Sequence, residues 1–186
     1  KIKKKYNFNQ IKKLFEKLSK LKVLVIGETI IDQYCFGEVL GKSGKETHLV
    51  FKSLKTEDYL GGAFVISKNV SNFVKNTEFI SYIGCESKFL NKIKKNLNRN
   101  LKIDFIKKKD ASTILKRRYV DQTNNVKLFG VYDSNDDLLS VKQERELYNK
   151  IKKKIKKFDL VIVSDFGHGF LTKKISTLIC SSAKYL

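Results

Sequence analysis

Apolar residues recur in the segment 10–21 at Ile11, Leu14, Phe15, Leu18 and Leu21. Steps of three and four residues put them on one face of a helix. Lysines fill most of the remaining positions. The pattern predicts an amphipathic helix packed on the domain edge, with a membrane-surface helix as the alternative. The next segment, Lys22-Val23-Leu24-Val25-Ile26-Gly27, is a continuous β-branched run closed by glycine. Such a run predicts a buried parallel strand. Leu160 to Asp165 repeats it, and Glu78 to Gly84 is a weaker version. Helical spacing fills Gly62 to Val74, Lys88 to Leu97 and Glu144 to Lys157. Strands alternating with helices predict an α/β domain on a mostly parallel sheet.

Four segments break that rhythm: Tyr34 to Glu38, His48 to Leu54, Ser112 to Asp121 and Val126 to Tyr132. They alternate with period two and occur in pairs with no helix between. They predict a small second sheet projecting from the first. Residues 1–20 form an N-terminal helical extension, and 21–186 a single unit without repeats or a Gly/Ser linker.

Length and composition narrow the function. A chain of 186 residues with 41% hydrophobic positions is long enough to bury a core without disulfides. No apolar run approaches the roughly 18–20 residues that span a bilayer. Lys+Arg 39 minus Asp+Glu 19 leaves a net charge of +20, yet only four of the basic residues are Arg. Sequence-specific nucleic-acid readers lean on the planar fork of Arg. A Lys-dominated excess spread along the chain reads as a solvated surface, with no specific nucleic-acid partner. Cys35, Cys85 and Cys180 are odd in number and far apart, which predicts reduced, buried thiols in a cytoplasmic protein. The opening Lys1-Ile2-Lys3-Lys4-Lys5 is followed by no apolar stretch of a secretion signal.

Four motifs carry candidate chemistry. Asp32 lies five residues beyond the first strand, at the expected carboxyl edge of the sheet, where ligands bind in open α/β folds. A carboxylate there can accept hydrogen bonds from two sugar hydroxyls; the alternative is a turn aspartate. Gly61-Gly62 opens the second helix and lets a substrate approach free backbone N–H groups. It also fits an ordinary turn. In Thr113-Ile114-Leu115-Lys116-Arg117-Arg118, strand alternation turns Lys116 and Arg118 to one face and Arg117 to the other. Three cationic positions so close together suit a phosphate-bearing ligand, or a solvated strand. In Ser164-Asp165-Phe166-Gly167-His168-Gly169 a buried strand ends in Asp165 and a glycine-spaced turn. Asp165 and His168 form a candidate strand-end site, although a turn histidine is the plainer reading. Thr172 is placed to cap the next helix.

In this order, the four motifs resemble the ribokinase/PfkB family of carbohydrate kinases, nearest its heptose-phosphate kinase branch. Gly27 to Tyr34 is similar to the Gly-Asp-x-x-x-Asp-x-Tyr of that branch. Gly61-Gly62-Ala63 matches its Gly-Gly-Ala, and Thr113, Lys116 and Arg118 match its Thr-x-x-Lys-x-Arg. Ser164 to Gly169 is similar to its Ser-Asp-Tyr-Gly-Lys-Gly turn. The resemblance covers residues 21–186. It implies a ribokinase-like three-layer sandwich with a β lid drawn from parts of 34–54 and 113–132. It implies phosphoryl transfer from ATP, with Mg2+, to a sugar or sugar-phosphate hydroxyl. Asp32, Gly61 and Gly62 would hold sugar hydroxyls, with Lys116 and Arg118 on the lid near the sugar or its phosphate. It allows a homodimer through the lid and implies neither a membrane nor a nucleic-acid partner.

The departures are as specific. Val65 stands where the family has Asn, Glu28 where it has Asp, and His168 where it has Lys. Gly44 to His48 replaces a proline-rich lid segment. No Gly-Ala-Gly-Asp occurs in the chain. In the family that motif supplies the anion hole and the catalytic base. The resemblance therefore implies only the N-terminal part of a kinase, truncated at the C-terminus, with the base beyond Leu186 and most of the nucleotide site absent.

Overall fold

The computed structural model describes residues 6–44, 46, 48–86, 88–108 and 111–186. The opening Lys1 to Lys5, and Lys45 and Thr47 of the 44–48 segment, lie outside the described residues. Strand β1 (Lys22–Gly27) is the centre of a four-stranded parallel sheet, with β4 (Asn76–Ile83) on one side and β8 (Leu160–Ser164) on the other. Strand β5 (Leu101–Lys107) extends it beyond β4. Alternation along β1 dictates the layers. Val23 and Val25 face α2 (Gly62–Ser71) and α3 (Lys88–Lys95), in a core with Phe64, Phe79 and Ile93. Leu24 and Ile26 face α4 (Val141–Lys154) and α5 (Lys173–Ser182), in a core with Leu147, Ile151, Ile175 and Ile179. Apolar side chains on both faces make this an α/β/α sandwich.

The four segments outside the βα rhythm form a second sheet of order β3-β2-β6-β7. These are β2 (Thr29–Lys42), β3 (Leu49–Gly61), β6 (Ile114–Asp121) and β7 (Val126–Asp133). β2 pairs antiparallel with β3 and parallel with β6, and β6 pairs antiparallel with β7. The first two strands are longer than their periodicity predicts. Much of β3 is wet on both faces, so apolar alternation fades while the ladder continues. β5 has no counterpart among the sequence expectations. Its apolar run is diluted by Lys102 and Asp104, and Asp104 accepts hydrogen bonds from Lys150 (2.6 Å) and Lys154 (2.7 Å).

Helix boundaries follow capping. α4 starts at Val141 instead of Glu144 because Ser140 and Gln143 form a capping box. Thr172 caps α5, accepting from the Ile175 N–H at 3.3 Å. Helix α1 (Phe8–Leu18) is capped in the same way by Asn7 and Gln10. Its Phe15 ring meets Phe73 at 6.1 Å, but no residue of the helix is buried. Its packing on the body is thus slighter than its pattern predicts. The thiols also depart from expectation: Cys35 is buried, but Cys85 and Cys180 are exposed. No helix among the described residues is long and apolar enough to cross a membrane.

Candidate functional site

Asp32 is not in a turn at the edge of the first sheet. The chain leaves β1 at Gly27, passes Glu28, and enters β2 at Thr29, so Asp32 sits inside a lid strand. Register makes it the direct neighbour of Tyr59 on β3 and Lys116 on β6. Its Oδ1 accepts a hydrogen bond from Arg118 Nη1 at 2.5 Å. Its Oδ2 lies against Gly61, where an added Cβ would meet it at 2.2 Å. Gly61 is therefore the residue that leaves room for this carboxylate.

Lys116 and Arg118 share the Asp32 face, as strand alternation predicts. The Arg118 guanidinium lies 5.5 Å from the Tyr34 ring and 6.0 Å from Tyr132, and Lys116 Nζ lies 5.9 Å from Tyr132. Asp32, Tyr34, Phe36 and Tyr59 line an open recess of about 360 Å³. An aromatic wall, a carboxylate and two cations are the groups that bind a polar, phosphorylated small molecule. Arg117 faces the other way, its Nε donating to Gln33 Oε1 at 2.6 Å.

Gly62 has φ +60°, and an added Cβ would meet the Glu28 carbonyl oxygen at 2.6 Å. That carbonyl accepts from the Ala63 N–H at 2.8 Å, so one N–H of the helix start is already occupied. The Glu28 side chain is fully buried and reaches the strand-end turn. Its two oxygens accept from the N–H groups of Phe166 (3.0 Å) and His168 (3.2 Å). Burial pushes the Glu28 carboxyl above its ordinary value, and the neighbouring Asp165 carboxylate adds to this. The two N–H donors act in the opposite sense. A raised folded-state value means stability present at low pH is lost as pH rises from about 4.5 through the raised value. Wild type should therefore lose stability relative to Glu28→Gln over that rise. Urea midpoints of the two proteins at about pH 4.5 and near neutrality check this. A constant difference between them would contradict it.

His168 is buried and does not join the Asp32 cluster. Its Nδ1 pairs with Asp136 Oδ1 at 2.6 Å, and its Nε2 is buried without a partner. Asp165 is exposed and accepts from the Gly167 N–H at 3.2 Å. Gly169 packs so closely on the 134–139 loop that a Cβ would meet the Asp137 carbonyl at 2.1 Å. Lys108, which nothing in the sequence distinguishes from Lys107 and Lys109, ties that loop down. Its buried Nζ donates to the carbonyls of Asn135 (2.7 Å) and Asp137 (2.8 Å). Burial lowers its pKa. Among the described residues no group of three His, Cys, Asp or Glu side chains could hold a metal ion. These residues thus do not by themselves supply a site for the Mg2+ that the resemblance implies.

Comparison with known proteins gives curated relatives and solved structures to which this chain is similar. The bifunctional protein HldE of Campylobacter jejuni (strain RM1221) is 30% identical over 167 residues, 90% of this chain and 34% of the relative. HldE of Aliarcobacter butzleri is 29% identical over 164 residues, again 34% of its length. The chain thus spans about a third of the length of the curated relatives it matches. Among solved structures, ribokinase from Giardia lamblia superposes with a TM-score of 0.58 at 13% identity, covering 88% of this chain and 51% of that one. Phosphofructokinase-2 from Escherichia coli, in complex with fructose-6-phosphate, gives 0.59 at 11% identity, covering 87% and 51%. No family model matches the chain. The α/β sandwich with its second sheet is ribokinase-like, like the sugar kinases among the solved structures it matches. In sequence the chain is similar to one part of the HldE proteins.

Proposed function

We propose that this chain is the sugar-holding part of a PfkB-type kinase that transfers a phosphoryl group from ATP, with Mg2+, to a hydroxyl of a sugar or sugar phosphate. A heptose phosphate is the substrate class favoured by the HldE relatives. The observation that carries the reading is the Asp32–Gly61 approach: a carboxylate oxygen occupies the space of a missing Cβ, facing an aromatic recess with two cations beside it. In this reading Asp32 and the Gly61-Gly62 backbone take sugar hydroxyls, Lys116 and Arg118 take the phosphate, and Asp165 with the His168 turn borders the site from the strand ends. The catalytic base and most of the nucleotide site belong to a Gly-Ala-Gly-Asp segment that this sequence does not contain. ATP as donor supports a cytoplasmic reaction. Exposed Phe129 and Val131 on β7, on the face away from the Asp32 recess, offer a lid surface for a second copy, which sedimentation of the purified chain tests.

Gly61→Ala tests the sugar reading. Gly61 has φ −119°, which alanine adopts without strain, so the new methyl displaces the flexible Asp32 carboxylate and leaves the backbone in place. Calorimetry with hexose and heptose phosphates should show binding to wild type and a loss of about tenfold or more in Gly61→Ala. The melting temperature should hardly move. Unchanged affinity, or no binding by wild type, would reject the reading.

A further inference from the structure

Glu28 touches the two backbone motifs of the site, and the sugar reading gives it no task. It is the single residue between β1 and β2, and it is fully buried. Its main-chain carbonyl accepts from Ala63 N–H and fills the space beside Gly62, so it sets the start of α2. Its side chain runs the other way and accepts from Phe166 and His168 in the strand-end turn. The neighbouring Thr29, also buried, shares a hydrogen bond with Ser81 at 2.9 Å, which fixes the segment on β4.

We propose that Glu28 is a positioning residue: one side chain and one carbonyl hold the Gly61-Gly62 helix start and the Asp165–Gly169 turn at a fixed spacing. The proposal deepens the sugar reading and rests on it for its functional consequence. A carboxylate suits the task because its two oxygens accept two turn N–H groups at once. A glutamine has one acceptor oxygen and must leave one N–H unpaired. An aspartate keeps both oxygens but is shorter by one methylene. No other side chain within the turn accepts from Phe166 or His168 among the described hydrogen bonds; Asp165 accepts from Gly167 instead.

The test is amide hydrogen exchange by NMR on the 186-residue chain, with Glu28→Gln and Glu28→Asp beside wild type. In Glu28→Gln the Phe166 or His168 amide should exchange about ten- to hundredfold faster, the expected loss for a hydrogen bond to a charged acceptor. Core amides of β1 and β4, such as Leu24 and Ile80, should keep wild-type protection. Glu28→Asp should restore part of the turn's protection, and it also serves if the glutamine variant fails to fold. Wild-type protection of both turn amides would overturn the proposal. So would a uniform acceleration across turn and core, because Glu28 would then only stabilise the fold. With fructose 6-phosphate as probe, affinity should fall in Glu28→Gln and recover partly in Glu28→Asp. If wild type binds no sugar phosphate, the sugar reading fails, and the amide measurements still decide whether Glu28 positions the turn.

Discussion

Asp32→Ala should weaken sugar binding by tenfold to several hundredfold, for phosphorylated and unphosphorylated sugars alike. The carboxylate is half-buried on the recess face, with Oδ1 on Arg118 and Oδ2 against Gly61. A sugar in the recess would offer its hydroxyls to these oxygens, and alanine offers them no acceptor. Hydrogen bonds to a charged group contribute about 1.5–3 kcal/mol each, which sets the expected range. The competing view is that Asp32 only anchors Arg118. That ion pair is partly solvent-exposed, where pairs of this kind contribute on the order of 1 kcal/mol or less. Arg118→Met separates the two. If both residues bind ligand, Arg118→Met weakens a sugar phosphate but spares the same sugar without its phosphate, whereas Asp32→Ala weakens both. Titration calorimetry with each sugar pair measures this. Identical losses in the two variants, tracking a shared fall in melting temperature, would reduce Asp32 to a structural partner of Arg118.

The central sheet was legible because burial on both faces writes itself as a continuous apolar run. Val23 to Ile26 and Leu160 to Val163 can hardly be read otherwise. The second sheet was legible only in outline. Its strands are half wet, so periodicity located Tyr34 to Glu38 but not the ladder from Thr29 to Lys42. The face shared by Lys116 and Arg118 followed from alternation alone. The meeting of Asp32 with Gly61 did not, because it depends on an antiparallel register between residues 29 apart. The same holds for Glu28. In the sequence it is a departure from a family aspartate, and only folding reveals that its longer side chain reaches a turn some 140 positions away. Lys108 was invisible for the opposite reason. With 35 lysines in the chain, a buried one that holds a loop by two carbonyls has no compositional mark.

The 186-residue chain, supplied with ATP, Mg2+ and a sugar phosphate, should turn over no ATP. Phosphoryl transfer needs a base within reach of the attacking hydroxyl and cations or N–H donors around the transferring group. Two candidate bases, His168 and Glu28, are engaged elsewhere. His168 Nδ1 is held by Asp136, and its Nε2 is buried, so neither nitrogen reaches a ligand in the Asp32 recess. Glu28 spends both oxygens on turn N–H groups. Asp32 faces the recess, but its Oδ1 already accepts from Arg118 and its Oδ2 lies against Gly61. Among the described residues no group of three His, Cys, Asp or Glu side chains could gather a metal ion over the phosphates. Binding and chemistry should therefore separate: calorimetry detects the sugar phosphate while a coupled assay for ADP stays at the protein-free rate. Turnover stimulated by sugar phosphate would overturn this reading. If that turnover vanished in His168→Gln but survived in Asp165→Asn, the strand-end histidine would be the base, and the His168–Asp136 pair would have to open when substrate binds.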